Sequence, residues 1–186
     1  MLKKMLGAVA VLALAGTAHA ATVSISPDLT WHPFDVSDVD SINQDLNWYD
    51  FDSGEALAFT INVAAGQPVM LMVTDAGYAG DRYQVFDNGS LLGETSTVAA
   101  DGQGANVFLN FDAAMGSTNF SHGFFVLGAG LHTITGLLSQ SSLDSPNVSV
   151  GAVSAAPVPL PASVLLLFSS GGLMGLFTRR RKPVAA

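Results

Sequence analysis

Three aspartates, Asp75, Asp81 and Asp87, bracket a short segment, Arg82 to Phe86, whose composition suits a strand. If that segment is extended, Asp75 and Asp81 can meet at one of its ends, where two carboxylates and a main-chain carbonyl would suit a hard cation. Calcium takes six to eight oxygen ligands, of which the sequence identifies two or three. The competing reading makes these residues turn formers that hydrogen-bond the backbone, with Asp81 pairing with Arg82 or capping its loop. Neither an EF-hand loop nor a calcium-binding nonapeptide repeat is present. Calcium is thus the one cofactor in question, and otherwise none is expected.

A second set of residues could bind sugar. Trp31, Trp48, Tyr49 and Tyr78 offer flat apolar faces of the kind that stack on pyranose rings, but the same spacing suits core aromatics, which is the expected role. His32, His122 and His132 are scattered and lack zinc-site spacing. No nucleophile elbow, HExxH helix or phosphate loop occurs in the body. A carboxylate pair for glycoside hydrolysis could be drawn from any of 15 acidic residues, and nothing singles one out. An enzyme is therefore not expected.

The charge distribution narrows the partners. All 15 acidic residues lie between Asp28 and Asp144, and Arg82 is the single Lys or Arg among them, which gives the middle of the chain a charge of -14. The other six bases are Lys3, Lys4 and the run Arg179, Arg180, Arg181, Lys182. So acidic a body repels nucleic acid and anionic lipid and attracts divalent cations. With no cysteine in the chain, disulfides, thiolate catalysis and Cys-based zinc are excluded together.

Strands dominate the expected framework. Leu57, Phe59, Ile61 and Val63 alternate with smaller or polar residues, a turn follows at Ala65-Gly66-Gln67-Pro68, and Val69 to Thr74 is apolar on both faces. This predicts a hairpin whose second strand is central. Asn88-Gly89 between Arg82–Phe86 and Leu91–Thr95 predicts another, because both turn residues tolerate positive φ. Further strands are predicted at Asn106–Phe111, Gly123–Leu127, Leu131–Leu138 and Asn147–Val153, with no convincing amphipathic helix. The fold class is all-β, a sandwich or jelly roll over residues 21–153. Residues 28–54, with seven aspartates, read as a long loop wrapped over it.

The two ends read as membrane signals. Residues 1–20 combine Lys3 and Lys4, an apolar run from Met5 to Ala15, and Ala18-His19-Ala20, the pattern of a signal peptide cleaved after Ala20. That implies the Sec translocon and signal peptidase as partners. Residues 154–186 begin with small residues and a proline motif over 157–162. An uncharged stretch over 162–178 follows, then the basic tail 179–186. Seventeen helical residues span roughly 25 Å, close to a ~30 Å hydrocarbon core, and Arg179, Arg180, Arg181 and Lys182 fix the C-terminus in the cytoplasm.

Val158-Pro159-Leu160-Pro161-Ala162, the apolar stretch with Gly171, Gly172 and Gly175, and the terminal basic cluster together resemble the PEP-CTERM sorting signal in its VPLPA variant. The resemblance implies recognition and cleavage near the motif by exosortase, a membrane-embedded protease with a cysteine nucleophile. It also implies transient anchoring in the inner membrane and delivery of the body to the cell surface or medium of an exopolysaccharide-producing bacterium. The body itself resembles an uncharacterised domain recurrent in such proteins, through the segment Thr74 to Gly89, Ser121-His122-Gly123 and Gly128 to Gly136. The expected function is that of a non-catalytic surface or matrix protein associated with exopolysaccharide or biofilm. The alternatives are a calcium-dependent carbohydrate-binding module and a glycan-active hydrolase.

Overall fold

The computed structural model describes residues 20–37, 46–143 and 148–159. Residues 1–19 of the expected signal peptide, the uncharged stretch with its basic tail, and Leu160, Pro161 and Ala162 of the proline motif fall outside them.

Ten strands, one short α-helix and a 3-10 turn (Gly102–Gly104) make up the described body: β1 (Ala21–Ser24), β2 (His32–Ser37), β3 (Leu57–Val63), β4 (Val69–Tyr78), β5 (Arg82–Asp87), β6 (Ser90–Glu94), β7 (Asn106–Phe108), α1 (Phe111–Met115), β8 (His122–Leu127), β9 (Gly130–Gln140) and β10 (Val148–Pro157). One sheet has the order β1-β3-β9-β5-β6, the other β2-β10-β4-β7, and β8 shares the β7 edge of β4. β1 runs parallel to β3, and the other pairings are antiparallel. With β1 and β7 set aside, the orders β3-β9-β5-β6 and β2-β10-β4-β8 are the two interleaved halves of a jelly roll.

Alternation explains why these segments pair as they do. Val69, Leu71 and Val73 of β4 meet Leu57, Phe59, Ile61 and Val63 of β3 in one core cluster together with Val85, Ile134 and Val153. At its centre Phe34 stacks on Trp48 with ring centroids 4.0 Å apart, and Tyr83 meets Phe34 edge-on at 5.0 Å. These contacts join the two sheets, since Phe34 lies on β2 and Tyr83 on β5. Gly136 on β9 makes room for the indole, because a Cβ there would fall inside the Trp48 ring. Burial of the three rings contributes about 2 kcal/mol or more each.

The structure corrects several expectations. β3 and β4 do not form a hairpin. The turn after Val63 carries the chain from one sheet to the other, so the apolar faces of these two strands oppose each other across the core. Residues 28–54 are not simply a loop, because β2 pairs along β10 from Ser37↔Val148 to His32↔Val153, and Trp48 is 1% exposed. Pro33 is tolerated because β2 is the edge strand in that order. The strand expected over Asn106–Phe111 stops at Phe108, where φ is +52°, and α1 follows, capped by Asn110 Oδ1 accepting from Ala113 N at 3.1 Å. β10 runs on to Pro157, past the expected domain boundary at 153. The Asn88-Gly89 hairpin is present with φ of +49° and +78° at the two turn residues.

Candidate functional site

Asp75 and Asp81 come together, and the contact that joins them is the backbone-bonding role that the sequence offered as the competing reading. By alternation with Val69, Leu71 and Val73, Asp75 projects between the sheets near the C-terminal end of β4, and its exposure is 0%. Asp81, also buried, stands two residues before Tyr83 on the inward face leading into β5. The link between them is short. Asp75 Oδ2 accepts from the backbone N–H of Gly80 at 3.1 Å and of Asp81 at 3.2 Å, while Asp81 Oδ1 accepts from Ser142 N at 2.5 Å. The other oxygen of Asp75, Oδ1, is buried with no hydrogen-bond partner.

Burial is the largest influence on Asp75 and pushes its carboxyl up. The charge of Asp81 pushes the same way, and the N–H bonds from Gly80, Asp81 and Ala76 offset only part of this, so it rises from 3.8 to about 9. Tyr83 lies beside the pair. Its hydroxyl donates to Val150 O at 3.2 Å, and burial, then Asp81, then Asp75 hold its phenol well above the ordinary value.

A polar network that sequence reasoning missed surrounds these carboxyls. Ser142 Oγ donates to Ala79 O at 2.7 Å, Gln140 Nε2 donates to Gly80 O at 2.7 Å, and Ser121 O accepts from Asp75 N at 2.9 Å. Ser149 is 1% exposed, and its Oγ has no hydrogen-bond partner. It lies two residues before Gly151, the partner of Asp75 across the β4–β10 pair, and therefore on the same inward face. The signal for Ser149 was present in Val148-Ser149-Val150-Gly151, where the inward positions of a strand hold a hydroxyl and a glycine in place of apolar side chains.

Asp87 does not join the pair. It closes β5 at the opposite end, where Asp87 Oδ2 lies 2.7 Å from His132 Nδ1, and His132 Nε2 lies 2.9 Å from Gly128 O. Burial lowers the His132 value, but the Asp87 hydrogen bond, the Gly128 carbonyl and the Asp87 charge outweigh it, and the net direction is upward. Among the described residues no group of three or more His, Asp or Glu side chains is arranged to hold a metal. Any ion at Asp75 and Asp81 would thus depend on hydroxyl, main-chain and water oxygens for the rest of its coordination.

The four aromatics are dispersed. Trp48 is sealed in the core, so no sugar can reach it. Trp31 Nε1 donates to Asp112 Oδ1 at 2.8 Å, beside Phe111, and half-buried Tyr49 exchanges backbone hydrogen bonds with Asp35. Tyr78 is the exposed member. It borders a groove of about 330 Å³ with Phe108, Leu109, Val148 and Val150. Phe108, not anticipated from sequence, combines the positive φ with a side chain left 77% exposed, and its N–H donates to Asn106 Oδ1 at 2.7 Å.

No family model and no curated protein matches the chain. Among solved structures it is similar to the pre-peptidase C-terminal domain of a collagenase from Bacillus anthracis, at 9% identity and a TM-score of 0.40, covering 75% of this chain and 96% of that one. It is likewise similar to CorA, a surface-associated copper-binding protein important in copper acquisition by Methylomicrobium album BG8, at 10% identity and a TM-score of 0.42, covering 75% and 98%.

Proposed function

We propose that the chain is an exported, non-catalytic surface protein, cut near its proline motif by an exosortase and associated with exopolysaccharide once released. The observation that carries this reading is where the fold begins and ends relative to the two expected cuts. β1 starts at Ala21, the residue after the expected signal cleavage, and Ala21 N donates to Ala56 O at 2.7 Å. At the other border β10 ends at Pro157, Val158 N donates to Pro68 O at 2.9 Å, and Pro159 is exposed. Cleavage at either place would leave the hydrogen-bonded sandwich whole, and the prolines keep the distal site extended for a protease at the membrane face. Asp75 and Asp81, the carboxyls that the fold brings together in the core, are buried beyond the reach of a polysaccharide and so supply no catalytic pair for one.

The test is the intact mass and location of the mature protein in its host, compared with an exosortase-deletion strain. A body that begins at Ala21 and ends near Val158 only when exosortase is present is the expected result. Retention of Arg179 to Ala186 in both strains would make the tail an ordinary anchor.

A second reading, carbohydrate binding, is favoured by one observation, the exposed Phe108 ring on a left-handed backbone next to Tyr78. A non-glycine residue held there costs about 1 kcal/mol or more, which suits a side chain positioned for contact. Glycan-array binding lost in both Phe108→Ala and Tyr78→Ala would support it, and an array without hits would remove it.

A further inference from the structure

We propose that Asp75, Asp81 and the Ser149 hydroxyl hold one calcium ion between the two sheets, at the end of the sandwich where β4 gives way to β5. Three observations meet there. The Asp75 carboxyl is wholly buried with Oδ1 unpartnered, and the Ser149 hydroxyl is buried and unpartnered on the same inward face. Asp75 pairs with Gly151, two residues along β10 from Ser149, and the Tyr83 hydroxyl reaches Val150 O between them. A buried carboxylate oxygen and a buried hydroxyl left without partners are each costly, and one ion satisfies both.

The charge balance selects a divalent ion. With an ion in place of the proton that Asp75 otherwise holds, the two carboxylates carry two negative charges, and the body supplies no lysine to balance them. Its single arginine, Arg82, projects to the opposite face of β5, where Nη2 is 2.6 Å from Glu94 Oε2. Of the described histidines, His132 faces Asp87, His122 lies 3.3 Å from Phe120 O, and His32 stands on β2 opposite Val153 with its ring against Phe59. The donor set contains only oxygen, which favours calcium or magnesium over zinc or copper. Magnesium holds its water shell tightly and demands a regular octahedron, so a dry, irregular site assembled from two carboxylates, a hydroxyl and main-chain oxygens favours calcium.

The experiment uses the full chain, stripped with EDTA and dialysed. Equilibrium dialysis should find one calcium per chain, and millimolar calcium should raise Tm by about 5 °C or more. Terbium in place of calcium should luminesce when Tyr83 and Trp48 are excited, and calcium should quench that emission competitively. Asp75→Asn should abolish both the Tm rise and the emission, while Ser149→Ala, a milder change that keeps the fold if Asp75→Asn does not, should weaken calcium binding about 10-fold. Absence of calcium binding and of any Tm change would overturn the proposal and leave Asp75 a buried, protonated carboxyl. Binding undiminished in both variants would also overturn it by locating the ion elsewhere. Neither result bears on export, which the mass measurement decides independently.

Discussion

β5 has an aspartate at each end, and the two ends behave differently. Asp87, at the Asn88-Gly89 hairpin, faces His132, so acid meets base and the pair is favoured when both are charged. Asp81, at the other end, meets Asp75, so acid meets acid where water cannot reach. The residue type is the same and the strand is the same. What differs is the element opposite: β9 of the same sheet contributes a histidine to one end, whereas β4 of the facing sheet contributes a carboxyl to the other. An aspartate at a strand end therefore has no fixed meaning until the topology names its neighbour.

The contrast can be broken most severely through the backbone. Gly102 is buried at φ +48°, and a Cβ there would run into Ala79 O, in the turn that joins Asp75 to Asp81. Gly102→Ala should cost about 3–4 kcal/mol in urea unfolding, whereas Gly89→Ala, at the hairpin end with open space around it, should cost about 1 kcal/mol through its positive φ alone. Equal losses would mean that the carboxyl end is no more tightly built than the hairpin end.

Titration sharpens the comparison next. Asp75 is raised in the folded chain, so the fold holds a proton that the unfolded chain releases. Its stabilising contribution is complete below about pH 4 and is lost as pH rises towards about 9. In EDTA the protein should lose stability steadily across that window, and Asp75→Asn should flatten the curve. His132 is also raised, so its contribution is complete below pH 6.5 and is lost only as pH passes its folded value. His132→Ala should cost about 1 kcal/mol at pH 5.5 and less at pH 9, and the imidazole signals in NMR should titrate above 6.5. The smallest effect belongs to the surface. Glu94→Gln, which breaks the pair with Arg82, should change stability by less than about 1 kcal/mol and should be nearly silent in high salt.

Much of this was legible in the residues. The 57–63 alternation, the Asn88-Gly89 turn and the convergence of Asp75 with Asp81 all follow from local patterns that tertiary structure had no reason to override. What escaped depended on distant partners. The core role expected of Trp48 holds, but the space it fills, created by Gly136 on β9 and by Phe34 on β2, could not be read from its own neighbours in sequence. β3 and β4 looked like a hairpin because they are adjacent in sequence, and only the jelly-roll crossing sends them to different sheets. β2 was hidden among aspartates, its alternation reduced to Phe34 and Val36. The positive φ of Phe108 left no trace, since phenylalanine is not a residue that announces it.

β10 is the last strand of the described residues and also sits between β2 and β4, in the middle of its sheet. Its partners precede it by as many as a hundred residues or more, so the sheet has no centre until almost the whole body has been synthesised. On the export reading the chain therefore crosses the membrane still unassembled, in a form that a narrow secretion channel can accept. Closure of the sandwich waits until Pro157 has cleared the bilayer. On that same reading the proline motif would then lie at the membrane face, and chain order would time maturation: the residues that complete the fold would be the ones that bring the proposed cleavage site within reach.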